Sequence, residues 1–115
     1  MEASDYDRPP RLPDFEAEIT LLPAAQGGRS SQASSGYRPS HNFDVPSTLN
    51  DAMHEYVDGF LRLGDTGRAL LWLRVPEAQT GRLHPGFEFT VQDGPRIVGK
   101  GKVLRMLNGT LQRAV

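Results

Sequence analysis

A chain of 115 residues has room for one domain and one core, and a net charge of -1 gives it no overall pull towards nucleic acid. The absence of cysteine excludes disulfides, thiol chemistry and zinc sites built on thiolates. Twelve glycines and nine prolines beside a hydrophobic fraction of 37% favour many short strands and turns over long helices.

No apolar run approaches the roughly 20 residues that a membrane helix needs. The start, Met1-Glu2-Ala3-Ser4-Asp5, is acidic and lacks the apolar stretch of a signal peptide. The expectation is a soluble, cytoplasmic protein. Charge is nonetheless uneven along the chain. Glu2, Asp5, Asp7, Asp14, Glu16 and Glu18 face only Arg8 and Arg11 at one end, whereas Arg96, Lys100, Lys102, Arg105 and Arg113 have no acid among them at the other. Such a basic end can be a footprint for an anionic partner. The plainer reading is a solvated basic strand, or one that pairs with the acidic N-terminal segment, and charge alone favours it.

Residues 1–13 are polar and hold Pro9, Pro10 and Pro13, which predicts a flexible arm. Phe15, Ala17, Ile19 and Leu21 then alternate with Glu16, Glu18 and Thr20, the period of a strand with one buried face. Residues 24–36 carry no large apolar side chain and read as a loop. Residues 36–43 read as a short extended segment, because Pro39 pushes Arg38 away from helical geometry.

Over residues 47–63 two readings compete. Leu49, Ala52, Met53, Tyr56, Val57, Phe60 and Leu61 fall at helical spacing behind Ser47 or Thr48 as a cap. Alternatively Asp58-Gly59 breaks the run and leaves a short strand on each side. Periodicity favours the helix. After a turn at residues 63–67, the apolar run Arg68–Val75 holds the sole tryptophan, Trp72, and predicts a central strand stopped by Pro76.

A hairpin follows. Phe87, Phe89 and Val91 alternate with Glu88, Thr90 and Gln92, Asp93-Gly94 suits a tight turn, and the return strand runs from about Arg96 to Leu107. Gly99 and Gly101 fall on one face of it, which signals a bend or a close backbone approach in a small barrel. Residues 108–115 read as a tail.

Few residues support chemistry. Gly94 to Lys100 satisfies Gly-x-x-x-x-Gly-Lys, but Gly101 stands where a hydroxyl would hold magnesium, and the motif falls inside a predicted strand with no helix after it. His41, His54 and His84 stand apart without metal-ligand spacing and read as surface or interface histidines. There is no nucleophile elbow and no singled-out carboxylate pair. No metal, cofactor or nucleotide is expected. Two arginine segments remain. Gly27-Gly28-Arg29 could offer amides and a guanidinium to an anion, and Tyr37-Arg38 sets a ring beside a planar cation. The plainer readings, core packing with a bonded hydroxyl for Tyr37 and a salt bridge across the barrel for Arg38, are favoured.

Taken in order, Phe15-Glu-Ala-Glu-Ile, Gly27-Gly28-Arg29, Gly36-Tyr37-Arg38-Pro39, Gly64-Asp65, Gly86-Phe-Glu-Phe89 and Asp93-Gly-Pro-Arg-Ile-Val-Gly-Lys-Gly-Lys-Val103 resemble the C-terminal, third domain of bacterial elongation factor Tu. The resemblance spans roughly residues 14–107. It implies an all-β chain: a small closed six-stranded antiparallel barrel at 14–107, with an arm at 1–13 and a tail at 108–115. It also replaces the later part of the expected helix by a strand near Tyr56 to Leu61, leaving a short helix only within 47–57. In that family the domain packs on a GTPase domain, touches the exchange factor and contacts the T stem of aminoacyl-tRNA. Carried over by position, the tRNA contacts fall on Arg29, Ser30, Ser40, Asp93 and Gly94, of which Ser30 and Ser40 are shorter than the family's usual His and Gln. Arg38, Arg96, Lys100, Lys102 and Arg105 would add positive charge. The expected function is a non-enzymatic binding module for a protein partner of the translation machinery or a protein that targets the factor. The alternative is binding of tRNA or structured RNA through the basic loop and strand. No membrane partner is expected.

Overall fold

The computed structural model describes residues 7–44 and 49–114. Its strands are β1 (Phe15–Leu21), β2 (Ala33–Ser34), β3 (Ser40–Asn42), β4 (Asn50–Tyr56), β5 (Phe60–Leu61), β6 (Thr66–Leu73), β7 (Glu88–Asp93) and β8 (Arg96–Met106). Six of them close into an antiparallel barrel in the order β1-β6-β4-β3-β7-β8, and β2 pairs with β5 in a separate ribbon. Closure leaves the barrel without a free edge, which is how a chain with so many short strands satisfies its backbone. The helical segments are short 3-10 turns, and no helix among the described residues is long and apolar enough to cross a membrane.

The alternation read from the sequence fills the barrel. Phe15, Ala17, Ile19 and Leu21 point inward and are fully buried, as are Leu71, Val91 and Val98. Phe15 meets Phe89 and Phe43 edge-on, with ring centroids 6.0 and 6.3 Å apart. The hairpin of β7 and β8 turns at Gly94, whose φ of 60° suits glycine. Gly101 lies opposite Ile19 on one side and Phe89 on the other. A β-carbon there would overlap the Phe89 ring and stand 3.0 Å from Ile19 Cδ1, and one at Gly99 would stand 2.7 Å from the Thr20 carbonyl oxygen. The two glycines therefore make room for inward side chains of neighbouring strands. Gly101→Ala should lower stability by about 1–3 kcal/mol through overpacking, and Phe89→Leu in the same chain should recover part of it. Urea unfolding of the single and double variants checks this, and strictly additive losses would overturn it.

Two expectations need correction. The helix within 47–57 is a strand over Asn50–Tyr56; the Ser47 or Thr48 cap lies outside the described residues. The inward positions of β4 are Asn50, Ala52, His54 and Tyr56, while the outward Met53 is apolar, so the usual apolar-in, polar-out alternation is scrambled and imitates a helical stripe. Pairing with β6 from Ala52↔Leu73 to Tyr56↔Ala69 decides the matter, since it satisfies the backbone along the whole strand. The strand expected near Tyr56 to Leu61 is interrupted: β4 ends at Tyr56, a turn runs through Asp58-Gly59, and β5 begins at Phe60.

The ends of the described chain pack on the barrel. Leu111, in the segment expected as a tail, is 1% exposed, and its carbonyl accepts from the Leu83 amide at 2.8 Å. At the other end, the Trp72 indole N–H donates to the Arg11 carbonyl at 2.8 Å, and Arg11 forks onto Asp14.

Candidate binding surface

The loop after β1 turns at Gly27-Gly28, and Gly28 lies so close to the Leu22 carbonyl that a β-carbon would overlap it. This approach folds the loop back and lays the Arg29 guanidinium over the Tyr37 ring, 4.1 Å from its centroid. Arg29 Nη1 is buried and has no hydrogen-bond partner among the described residues. The Tyr37 hydroxyl donates to Asp93 Oδ1 at 2.8 Å. Burial pushes the Tyr37 phenol well up, and the hydrogen bond and charge of Asp93 add to that, against the opposing charge of Arg29. Asp93 in turn lies 3.8 Å from Arg96 across the hairpin turn. Arg29, Tyr37, Asp93 and Arg96, from three separate segments, thus form one continuous chain of contacts, with Gly94 exposed at its end. Ser30 is exposed beside Arg29.

Ser40 stands across from Gln92 in the β3–β7 ladder, one residue from Asp93, and its hydroxyl donates to Asp51 Oδ1 at 2.6 Å. Arg38 departs from the group. Among the described residues it makes no salt bridge across the barrel; its Nη2 donates to the Asp7 carbonyl at 2.8 Å, on the side where the arm lies. Tyr37 does what the plainer reading expected, packing on the core with a bonded hydroxyl.

The basic strand β8 runs between two strands that answer its charge. Lys102 is flanked by Glu18 on β1 and Glu88 on β7. Arg105 lies 3.8 Å from Glu16, which also has Arg68 at 3.6 Å. Lys100 differs, because its cross-strand neighbours are Thr20 and Thr90. These outward side chains line a polar cleft of about 540 Å³ with Asn42 and Asp44. Pairing with the acidic N-terminal segment, the plainer reading of the charge asymmetry, is what Glu16 and Glu18 provide.

Behind the surface lies a polar chain that the sequence reading missed. His41 and His54, expected at the surface, are both 0% exposed, with their Nε2 atoms 2.7 Å apart. His41 Nδ1 is 2.9 Å from the Asn50 carbonyl, and His54 Nδ1 is 2.9 Å from the Tyr56 hydroxyl. The carbonyl can only accept, so one neutral assignment satisfies every atom. His41 Nδ1–H donates to Asn50, His54 Nε2–H donates to His41 Nε2, and Tyr56 O–H donates to His54 Nδ1. Burial lowers His41 to about 4, against smaller upward effects of Asn50 and Asp51. Burial also holds His54 well below the usual range, with His41 adding to it. The Tyr37 ring meets His54 edge-on at 5.8 Å, so this interior chain buttresses the surface cluster. The signal for it was the parity of positions in β3 and β4, which a helical reading of residues 47–57 conceals. No protein-family model matches the chain.

Proposed function

We propose that the chain is a non-enzymatic binding module whose loop end, carrying Arg29, Ser30, Ser40, Asp93 and Gly94, engages a protein partner. The resemblance to the third domain of elongation factor Tu suggests that the partner belongs to the translation machinery or targets that factor. The observation that carries the preference for protein over RNA is that three of the four cations of β8 stand beside carboxylates. Lys102, Arg105 and Arg96 each face a carboxylate from a neighbouring strand or turn. Phosphate binding draws on cations that can release counterions, and cations already opposed by fixed carboxylates contribute little to it.

RNA binding is the second reading, and two observations favour it: the buried Nη1 of Arg29, without a partner among the described residues, and Lys100 between two threonines. A titration of isotope-labelled protein separates the two. With bulk tRNA at low and moderate salt, the protein reading expects backbone amide peaks to stay in place. With the GTPase domain or the exchange factor of elongation factor Tu, it expects shifts at residues 27–30, Ser40 and 93–96. Shifts with tRNA at 27–30, Ser40 and 93–102 that weaken with salt would transfer the site to RNA. Silence with every probe would sink both readings.

A further inference from the structure

The outer face of β4 and β6 carries an apolar pair that belongs to no part of the barrel interior. Met53 and Trp72 lie opposite each other in register and point outward, yet they are only 1% and 3% exposed. The N-terminal arm lies over Trp72. The Arg8 guanidinium lies 5.6 Å from the centroid of the Trp72 ring and pairs with Glu55, which is also outward on β4. The Trp72 indole N–H takes the Arg11 carbonyl, and Arg38 takes the Asp7 carbonyl. Between these points Pro9 and Pro10 hold the chain in a tight turn, closed by the Arg11 amide on the Pro9 carbonyl at 2.8 Å.

An indole N–H that donates to a main-chain carbonyl and a carboxylate that pairs with a neighbouring arginine are polar contacts by which a strand face can hold an arginine-bearing segment. Beside Pro9 and Arg11 there is a cleft of about 300 Å³, bordered by Arg38, Asp51 and Arg74. Leu12, by contrast, is 81% exposed and takes no part.

We propose that the Trp72–Met53–Glu55 face is a docking groove for an arginine-bearing, proline-containing segment of a partner protein, and that residues 8–11 occupy it in cis as a displaceable stand-in. The groove meets the loop end at Asp51, which accepts from Ser40, and its occupation does not depend on how that end is used. A tethered occupant acts at an effective concentration of order millimolar, so a partner's segment must match Arg8-Pro9-Pro10-Arg11 and add contacts in the adjoining cleft to displace it.

The test uses the full chain, isotope-labelled, and an unlabelled peptide of the sequence Asp7 to Pro13. In the full chain carrying Arg8→Glu, the arm's amide peaks should move towards free-chain positions. The peptide should then bind it at least about tenfold more tightly than it binds the parent chain, because the cis competitor is weakened. Adding Glu55→Gln should weaken peptide binding again by several-fold or more. The dispersed amide spectrum of each variant reports that the barrel is intact. An Arg8→Glu chain whose arm peaks stay put overturns the proposal, as does one that ignores the peptide at millimolar concentration. Peptide binding that is indifferent to Glu55→Gln overturns it as well.

Discussion

Asp14→Ala should lower the stability of the barrel by about 2–5 kcal/mol, the largest loss expected from a single truncation here. Asp14 is fully buried at the entry to β1. Its Oδ1 accepts from Arg11 Nη1 and from the Asn108 side-chain amide, each at 2.9 Å. Its Oδ2 accepts from the Leu73 amide at 2.7 Å and from Arg11 Nη2 at 3.1 Å. One carboxylate thus ties the arm, the end of β6 and the segment after β8 together. Alanine leaves a buried amide, a side-chain amide and part of a guanidinium without their acceptor, and unsatisfied groups of this kind cost more than the bonds themselves contributed. Arg11→Ala should cost less, about 1–2 kcal/mol, because the arginine side chain is 39% exposed and Asp14 keeps its two amide donors. Urea unfolding followed by Trp72 fluorescence gives both values. An Asp14→Ala loss below that of Arg11→Ala would show that the ion pair, and not the amide bonds, carries the site.

Acid should unfold the chain earlier than its carboxylates alone require. His41 and His54 are neutral when folded, and burial holds both below their ordinary value of 6.5, His41 at about 4. Below pH 6.5 the unfolded histidines bind protons that the folded ones do not. Stability is therefore full above about pH 6.5 and falls as pH drops towards 4. The displacement of His41 alone corresponds to on the order of 3 kcal/mol over that window. Replacing both histidines with leucine should flatten the slope between pH 6.5 and 4. It should also lower stability at pH 7, since the Tyr56 hydroxyl and the Asn50 carbonyl lose their partners. Unfolding free energies measured at several pH values check the slope, and an unchanged slope in the double variant would remove the pair as its cause.

Much of the barrel was legible because its strands obey simple alternation. Phe15 to Leu21 and Phe87 to Gln92 set apolar residues at every second position, and the Asp93-Gly94 turn between β7 and β8 declared itself in two residues. Gly99 and Gly101 announced a close approach, although only the packed structure names the Phe89 ring and the Thr20 carbonyl as what approaches. Strand β4 was not legible, because its inward face holds Asn50 and His54 and its outward face holds Met53. His54 is explained by His41, and Met53 by Trp72, each distant in sequence.

The binding surface divides in the same way. Gly27-Gly28-Arg29 and Asp93-Gly94 stood out locally, since glycines beside charge mark loops that can present a ligand contact. That Arg29 lies on Tyr37, that Tyr37 reaches Asp93, and that Lys102 and Arg105 are answered by Glu18 and Glu16 follow from barrel closure. Strand periods, turns and the size of the core depend on residues a few positions apart and were readable locally. Which charges meet carboxylates, which histidines are buried and where the arm rests depend on strand order and register, which bring residues tens of positions apart into contact.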